Sequence, residues 1–145
     1  MKAIVMSMKP EAVRSIASGR SRAEIKKEFP HFLDTPFRVY IYEASGALTH
    51  RPNFGYTAYR HDGRGMVVGE AICHDIKEFT DRDGYEQADA IGMTTREISA
   101  FLNGKKGYVF YFKDVEMYGV PKPVEAFGTT RPPQSWFYVK ERIEQ

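Results

Sequence analysis

Residues 3–19, AIVMSMKPEAVRSIASG, decide the fold. Ala3–Met8 is a short apolar run rich in strand formers, and Lys9-Pro10 ends it. Proline suits the first turn of a helix, where its missing N–H removes no hydrogen bond. Val13, Ile16 and Ala17 then recur at helical spacing, while Glu11, Arg14 and Ser18 face elsewhere. Gly19 is placed to close the helix in a left-handed conformation. The chain therefore opens as strand, helix and then a basic segment.

Working outward, residues 22–27 (RAEIKK) alternate weakly as a strand stopped by Phe29-Pro30. Residues 38–42 (RVYIY) are dominated by β-branched and aromatic side chains and form a firm strand. Residues 43–65 read as one long loop punctuated by Gly46, Pro52, Gly55, Gly63 and Gly65. Loops of that length inside a compact domain tend to carry function. A further strand covers 66–76, with Gly69 as a bulge. A short helix fits Tyr85–Ile91, and a second covers 94–102, where Thr94 and Glu97 make a capping box and Met93 can pack on Ile98. The run 108–115 (YVFYFKDV) is apolar on both faces, which predicts a central strand. Pro121 and Pro123 restrict 120–124 to an edge strand or loop. One helical turn over 125–127 and a terminal strand ending at Val139 complete the chain. Five to six strands with two to three interspersed helices predict an α+β fold, a small mixed β-barrel with helices at its ends. A doubly wound sheet would need regular alternation of the two.

The 145 residues suit a single domain spanning 1–145, with 42% hydrophobic and 28% charged residues as in soluble globular proteins. No run is long and apolar enough for a membrane helix, and no secretory signal is expected at the N-terminus. The lone Cys73 cannot form an internal disulfide, which suits a cytoplasmic, reducing setting. The net charge is only +2, but Lys2, Lys9, Arg14, Arg20, Arg22, Lys26 and Lys27 stand against only Glu11 and Glu24 in the first 27 residues. Such a surplus marks either an anion-binding face or a solvated helix and strand edge. No phosphate-binding glycine fingerprint follows a strand, so no cofactor is expected. The four histidines are scattered, and no metal is expected. Cys73 and His74 point to opposite faces of a strand, so they neither share a zinc ion nor act as a nucleophile–base pair. Cys73 is expected to face the core.

Several of these pieces resemble the ASCH domains of the PUA-like superfamily, in the same order along most of the chain. They are Ser7-Met8-Lys9-Pro10, the helix end Ile16-Ala17-Ser18-Gly19, and Arg22-Ala23-Glu24-Ile25-Lys26-Lys27. Later come Val68-Gly69-Glu70, the run 107–115, and Pro132-Pro133-Gln134-Ser135-Trp136. The 43–65 segment is the main departure and reads as an insertion. The resemblance implies a PUA-like barrel with a cleft between its first helix and the barrel, and an association with RNA. Some members are amidohydrolases that remove an acyl group from a modified cytidine. Their pattern places a lysine two residues after the helix-ending glycine and a threonine three further on. Those positions hold Ser21 and Glu24 here. A carboxylate does not replace a hydroxyl nucleophile.

The candidate ligand-binding residues are Lys9, Arg22, Glu24, Lys26, Lys27, Gln134, Ser135 and Trp136. On a strand, Arg22, Glu24 and Lys26 share one face, so they could hold a phosphate while Glu24 accepts from a base or sugar. The same row could equally be a surface ion-pair ladder. The two prolines stiffen the approach to Gln134 and Ser135, and Trp136 either stacks on a base or packs into the barrel. Glu24 and Glu70 are the candidate acid/bases, Glu70 because a carboxylate on an apolar strand could point into the cleft. In the 43–65 segment, His50, Arg51, Arg60, His61 and Arg64 interleave with Phe54, Tyr56 and Tyr59, either for single-stranded nucleic acid or as a solubilising loop. The expected partner is RNA or a nucleotide-like ligand. A hydrolase of an acylated nucleoside is the alternative, and a protein-interaction module using the same cleft is a third.

Overall fold

A computed structural model describes residues 2–31, 33–45, 49–51, 56–58, 63–80, 85–129, 131–133 and 135–139. Its elements are β1 (Ala3–Met8), α1 (Pro10–Ala17), β2 (Ala23–Lys26), β3 (Phe37–Glu43), β4 (Thr49–Arg51), β5 (Tyr56–Ala58), β6 (Met66–Phe79), α2 (Tyr85–Ile91), α3 (Thr95–Leu102), β7 (Gly107–Lys122) and β8 (Trp136–Tyr138), with a 3₁₀ turn over Val124–Phe127. Six strands form one sheet in the order β2-β7-β6-β3-β1-β8, and β4 and β5 pair separately. Among the described residues only β1 and β3 run parallel; the other pairs are antiparallel.

The opening behaves as its residues dictate. Pro10 starts α1, and Gly19, at φ +81°, ends it in the left-handed region. Both bonds of the Thr94–Glu97 capping box are made at the start of α3. β7 is flanked on both sides by β2 and β6, as its two apolar faces require. Three expectations need correction. The 43–65 segment is not loop throughout, because β4 and β5 pair within it. The strand beginning at Met66 runs on to Phe79, and β7 continues through Pro121 to Lys122. Proline is tolerated there because β2 pairs with β7 only over 108–111, which leaves β7 unflanked on that side near Pro121. At Gly69 the register of β6 against β7 shifts, and a Cβ there would fall 2.7 Å from the Glu116 carbonyl oxygen.

The sheet has a concave and a convex face. Ile4, Met6 and Met8 of β1, Val39 and Ile41 of β3, Cys73 of β6 and Phe110 of β7 line the concave face, where Val13 and Ile16 of α1 pack on them. On the convex face α2 and α3 cover Ala23, Ile25 and Val109. The 3₁₀ turn covers Val5, Tyr40 and Tyr42 farther along. One contact shows that the sheet curls: the Lys26 ammonium of β2 donates to the Ser7 carbonyl of β1. In a flat sheet four strand spacings, about 19 Å, would separate those strands, far beyond the reach of a lysine. The result is a half-barrel whose two edges, β2 and β8, are drawn toward each other.

Candidate functional site

β2 is short and alternates cleanly. Ala23 and Ile25 are buried under α2 and α3, which turns Glu24 and Lys26 to the concave side, opposite Phe110 and Tyr108. Their side chains are 13% and 12% exposed, and the Lys26 ammonium lies 3.7 Å from a Glu24 carboxylate oxygen. An ion pair this far from water gains little net stability, because desolvating both charges offsets their attraction. Burial pushes the Glu24 carboxyl above its ordinary range, against the opposing pull of Lys26, the Ile25 backbone and Lys9. A carboxylate with a raised proton affinity beside an ammonium can both hold a polar ligand and move a proton.

The rest of the cluster comes from the two ends of the chain. Lys9 is the N-cap of α1, exposed, and its charge acts on Glu24. The Ser7 N–H donates to the Ser135 carbonyl (2.8 Å), while the Ser7 carbonyl accepts from Lys26. One peptide segment of β1 thus joins the early lysine to the late proline-led segment. Met6 lies opposite Trp136, which packs on the concave core, and its ring meets Tyr138 edge-on at 5.1 Å. Gln134 lies outside the described residues.

Other predicted site residues sit elsewhere. The Arg22 backbone is tied to α2 and β7, and its side chain lies 3.9 Å from exposed Asp89 of α2 rather than in the row with Glu24 and Lys26. Lys27 turns to the opposite face, its ammonium 4.8 Å over the Phe101 ring of α3. Ser21 is buried between helices, where its hydroxyl donates to the Ile91 carbonyl and lies 2.5 Å from the Ser15 hydroxyl. Glu70 is not in the concave cleft. It shares the convex face with its neighbour Tyr40, where Arg38 pairs with one carboxylate oxygen and the Tyr118 hydroxyl donates to the other at 2.8 Å. Cys73 is fully buried in the concave core, and burial pushes its thiol up to about 12, so it is inert at neutral pH. Phe54, Tyr59, Arg60 and His61 lie outside the described residues.

Sequence reasoning missed the Ser7 carbonyl, the acceptor around which the cluster is built. Its Ser-x-Lys-Pro setting is visible in the sequence, but a backbone oxygen leaves no side-chain signal. It also missed Glu43, buried at the end of β3 opposite Met8, whose carboxylate accepts the Arg64 N–H at 2.9 Å. Among the described residues no group of three His, Cys, Asp or Glu side chains could hold a metal ion, and no helix is long and apolar enough to cross a membrane.

The chain is a curled α+β half-barrel with its first helix on the concave face. That fold is the one seen in ASCH crystal structures. The chain is similar to the crystal structure of ASCH from Zymomonas mobilis at 18% identity and a TM-score of 0.74, over 99% of this chain and 91% of that one. It is also similar to two variants of the Zymomonas protein. A tyrosine-to-phenylalanine variant aligns at 19% identity and a TM-score of 0.73, over 99% and 94% of the two chains. A serine-to-alanine variant aligns at 18% and 0.71, over 99% and 92%. No family model matches the chain, and no curated protein does.

Proposed function

We propose that the chain binds RNA or a nucleotide-like ligand on the concave side of the half-barrel, beside the start of α1. The observation that carries this reading is the nearly buried Glu24–Lys26 pair, tied through Ser7 to Ser135. A desolvated pair contributes little to folding, so its place on the concave wall favours a role in meeting a ligand. In this reading Lys9 and Lys26 meet phosphate, and Glu24 accepts a hydrogen bond from a base or sugar. Arg22 and Lys27, directed elsewhere, are not part of it. The lone, buried Cys73 suits a reducing compartment, which we take to be the cytoplasm.

The test is a titration at low salt with a single-stranded RNA hexamer and with cytidine monophosphate. The expected result is saturable binding that weakens as salt rises and falls at least about tenfold in Lys26→Met, the loss of one charge-assisted contact. No binding of either probe, or unchanged binding in Lys26→Met, overturns the proposal.

A second reading rests on the raised proton affinity of Glu24. Such a carboxyl beside an ammonium could serve as the acid/base of a hydrolase acting on an acylated nucleoside. Incubation with N4-acetylcytidine followed by mass spectrometry tests it. Deacylation that disappears in Glu24→Gln supports the hydrolase, and the absence of product discards it.

A further inference from the structure

Trp136 presents an anomaly. Its indole Nε1–H is buried and has no hydrogen-bond partner among the described residues. Buried donors are almost always paired, because an unpaired one forfeits its bond to water without replacement. The indole is held where it is by register and packing. Trp136 lies opposite Met6 on the concave face, packs against the core there, and takes Tyr138 edge-on with the two rings 76° apart. A ring engaged in this way serves as a wall rather than as a free stacking plane. The unengaged part of the side chain is its N–H.

Its position is informative. Trp136 faces Met6, and the next residue of β1, Ser7, is where the Lys26 ammonium docks. Two side-chain donors, one from each edge of the half-barrel, are therefore brought to adjoining residues of a single strand. Both are donor-only groups, since neither an indole N–H nor an ammonium accepts a hydrogen bond.

We propose that Trp136 Nε1–H is a ligand-recognition donor, and that with Lys26 it selects an oxygen acceptor, a carbonyl or phosphoryl oxygen, on the concave side beside Met6 and Ser7. The proposal rests on the binding reading above and deepens it: Trp136 contributes a hydrogen bond instead of stacking. A ligand edge offering only N–H donors is rejected, because it leaves the indole N–H unpaired and brings donors against the ammonium.

Trp136 is the chain's only tryptophan, so its fluorescence reports this position alone. The probes are uridine, which has carbonyl oxygens and no phosphate, inorganic phosphate, which has no base, and uridine monophosphate, which has both. Whichever of them the wild type binds identifies the source of the oxygen. The expected result is a change in tryptophan emission on binding and about a tenfold weaker affinity in Trp136→Phe, which keeps an aromatic ring and removes the donor. Wild-type binding retained undiminished in Trp136→Phe overturns this inference while leaving the binding reading intact. Failure of the wild type to bind any probe overturns both. Should Trp136→Phe fail to fold, the indole ¹H–¹⁵N resonance of the wild type decides. A downfield shift with slowed solvent exchange on ligand addition supports the proposal, and an unmoved resonance overturns it.

Discussion

The sheet carries a carboxylate–cation pair on each face, and the two differ in how completely they are satisfied. On the convex face both oxygens of Glu70 are engaged, one by Arg38 and one by the Tyr118 hydroxyl. Burial, and then the bond to Glu70, holds the Tyr118 phenol far above its ordinary range, so it stays a permanent donor. On the concave face Glu24 shares Lys26 with a backbone carbonyl, and its proton affinity is raised by desolvation. Neither oxygen of the Glu70 carboxylate is left open to a ligand. A desolvated pair whose ammonium rests on a strand-end carbonyl can exchange that carbonyl for an incoming oxygen. On the proposed reading the convex cluster is structural, and the concave pair is the one that meets the ligand.

The hardest blow to that contrast is Lys26→Met, which leaves the Glu24 carboxylate buried without its partner. Loss of one member of a buried pair costs about 3 kcal/mol, and here ligand affinity should fall with it. Thermal unfolding and titration of the same variant check both. A large stability loss with intact binding would make the concave pair as structural as the convex one. Next in size is Glu70→Gln, expected to cost about 1–2 kcal/mol by weakening a charged hydrogen-bonded cluster. Its ligand affinity should equal that of the wild type, and a drop would erase the distinction between the faces.

How far the sequence foretold this division depends on how local each signal is. The opening strand and helix, the capping box at Thr94 and Glu97, and the shared face of Glu24 and Lys26 all follow from spacing within a few residues. The same alternation should have removed Glu70 from the cleft: if Cys73 faces the concave core, a residue three positions earlier on a regular strand faces away. It also separates Lys27 from Lys26, adjacent in sequence and opposite in direction. Arg22 fails for another reason, since it precedes the first residue of β2 and its backbone is committed to α2. The meeting of Lys26, Ser7 and Ser135 was not legible as geometry. It depends on strand order and on the curl of the sheet, which no local pattern encodes. Within 43–65, four glycines and Pro52 outweighed the strand formers, although Thr49–Arg51 and Tyr56–Ala58 pair as a ribbon.

Two smaller effects sharpen the contrast. Because burial raises the Glu24 carboxyl, the folded state binds its proton more tightly than the unfolded chain does. Its contribution to stability is therefore complete below the ordinary glutamate value of 4.5 and is lost as the pH rises through the raised value. Glu24→Gln has no such proton to lose. The difference in melting temperature between variant and wild type should thus move in the variant's favour from pH 4.5 toward neutrality. The slope of that difference with pH reports on Glu24, the carboxyl that the substitution removes. A flat difference would mean that Glu24 is not desolvated in solution. The smallest effect belongs to Lys27→Ala, which removes a cation over the Phe101 ring at an exposed site, worth about 0.5 kcal/mol. Its ligand affinity should match the wild type at every salt concentration. A reduced salt dependence in Lys27→Ala would show the ligand reaching around the edge of β2 to the convex face, and the recognition surface would then span both sides of that strand.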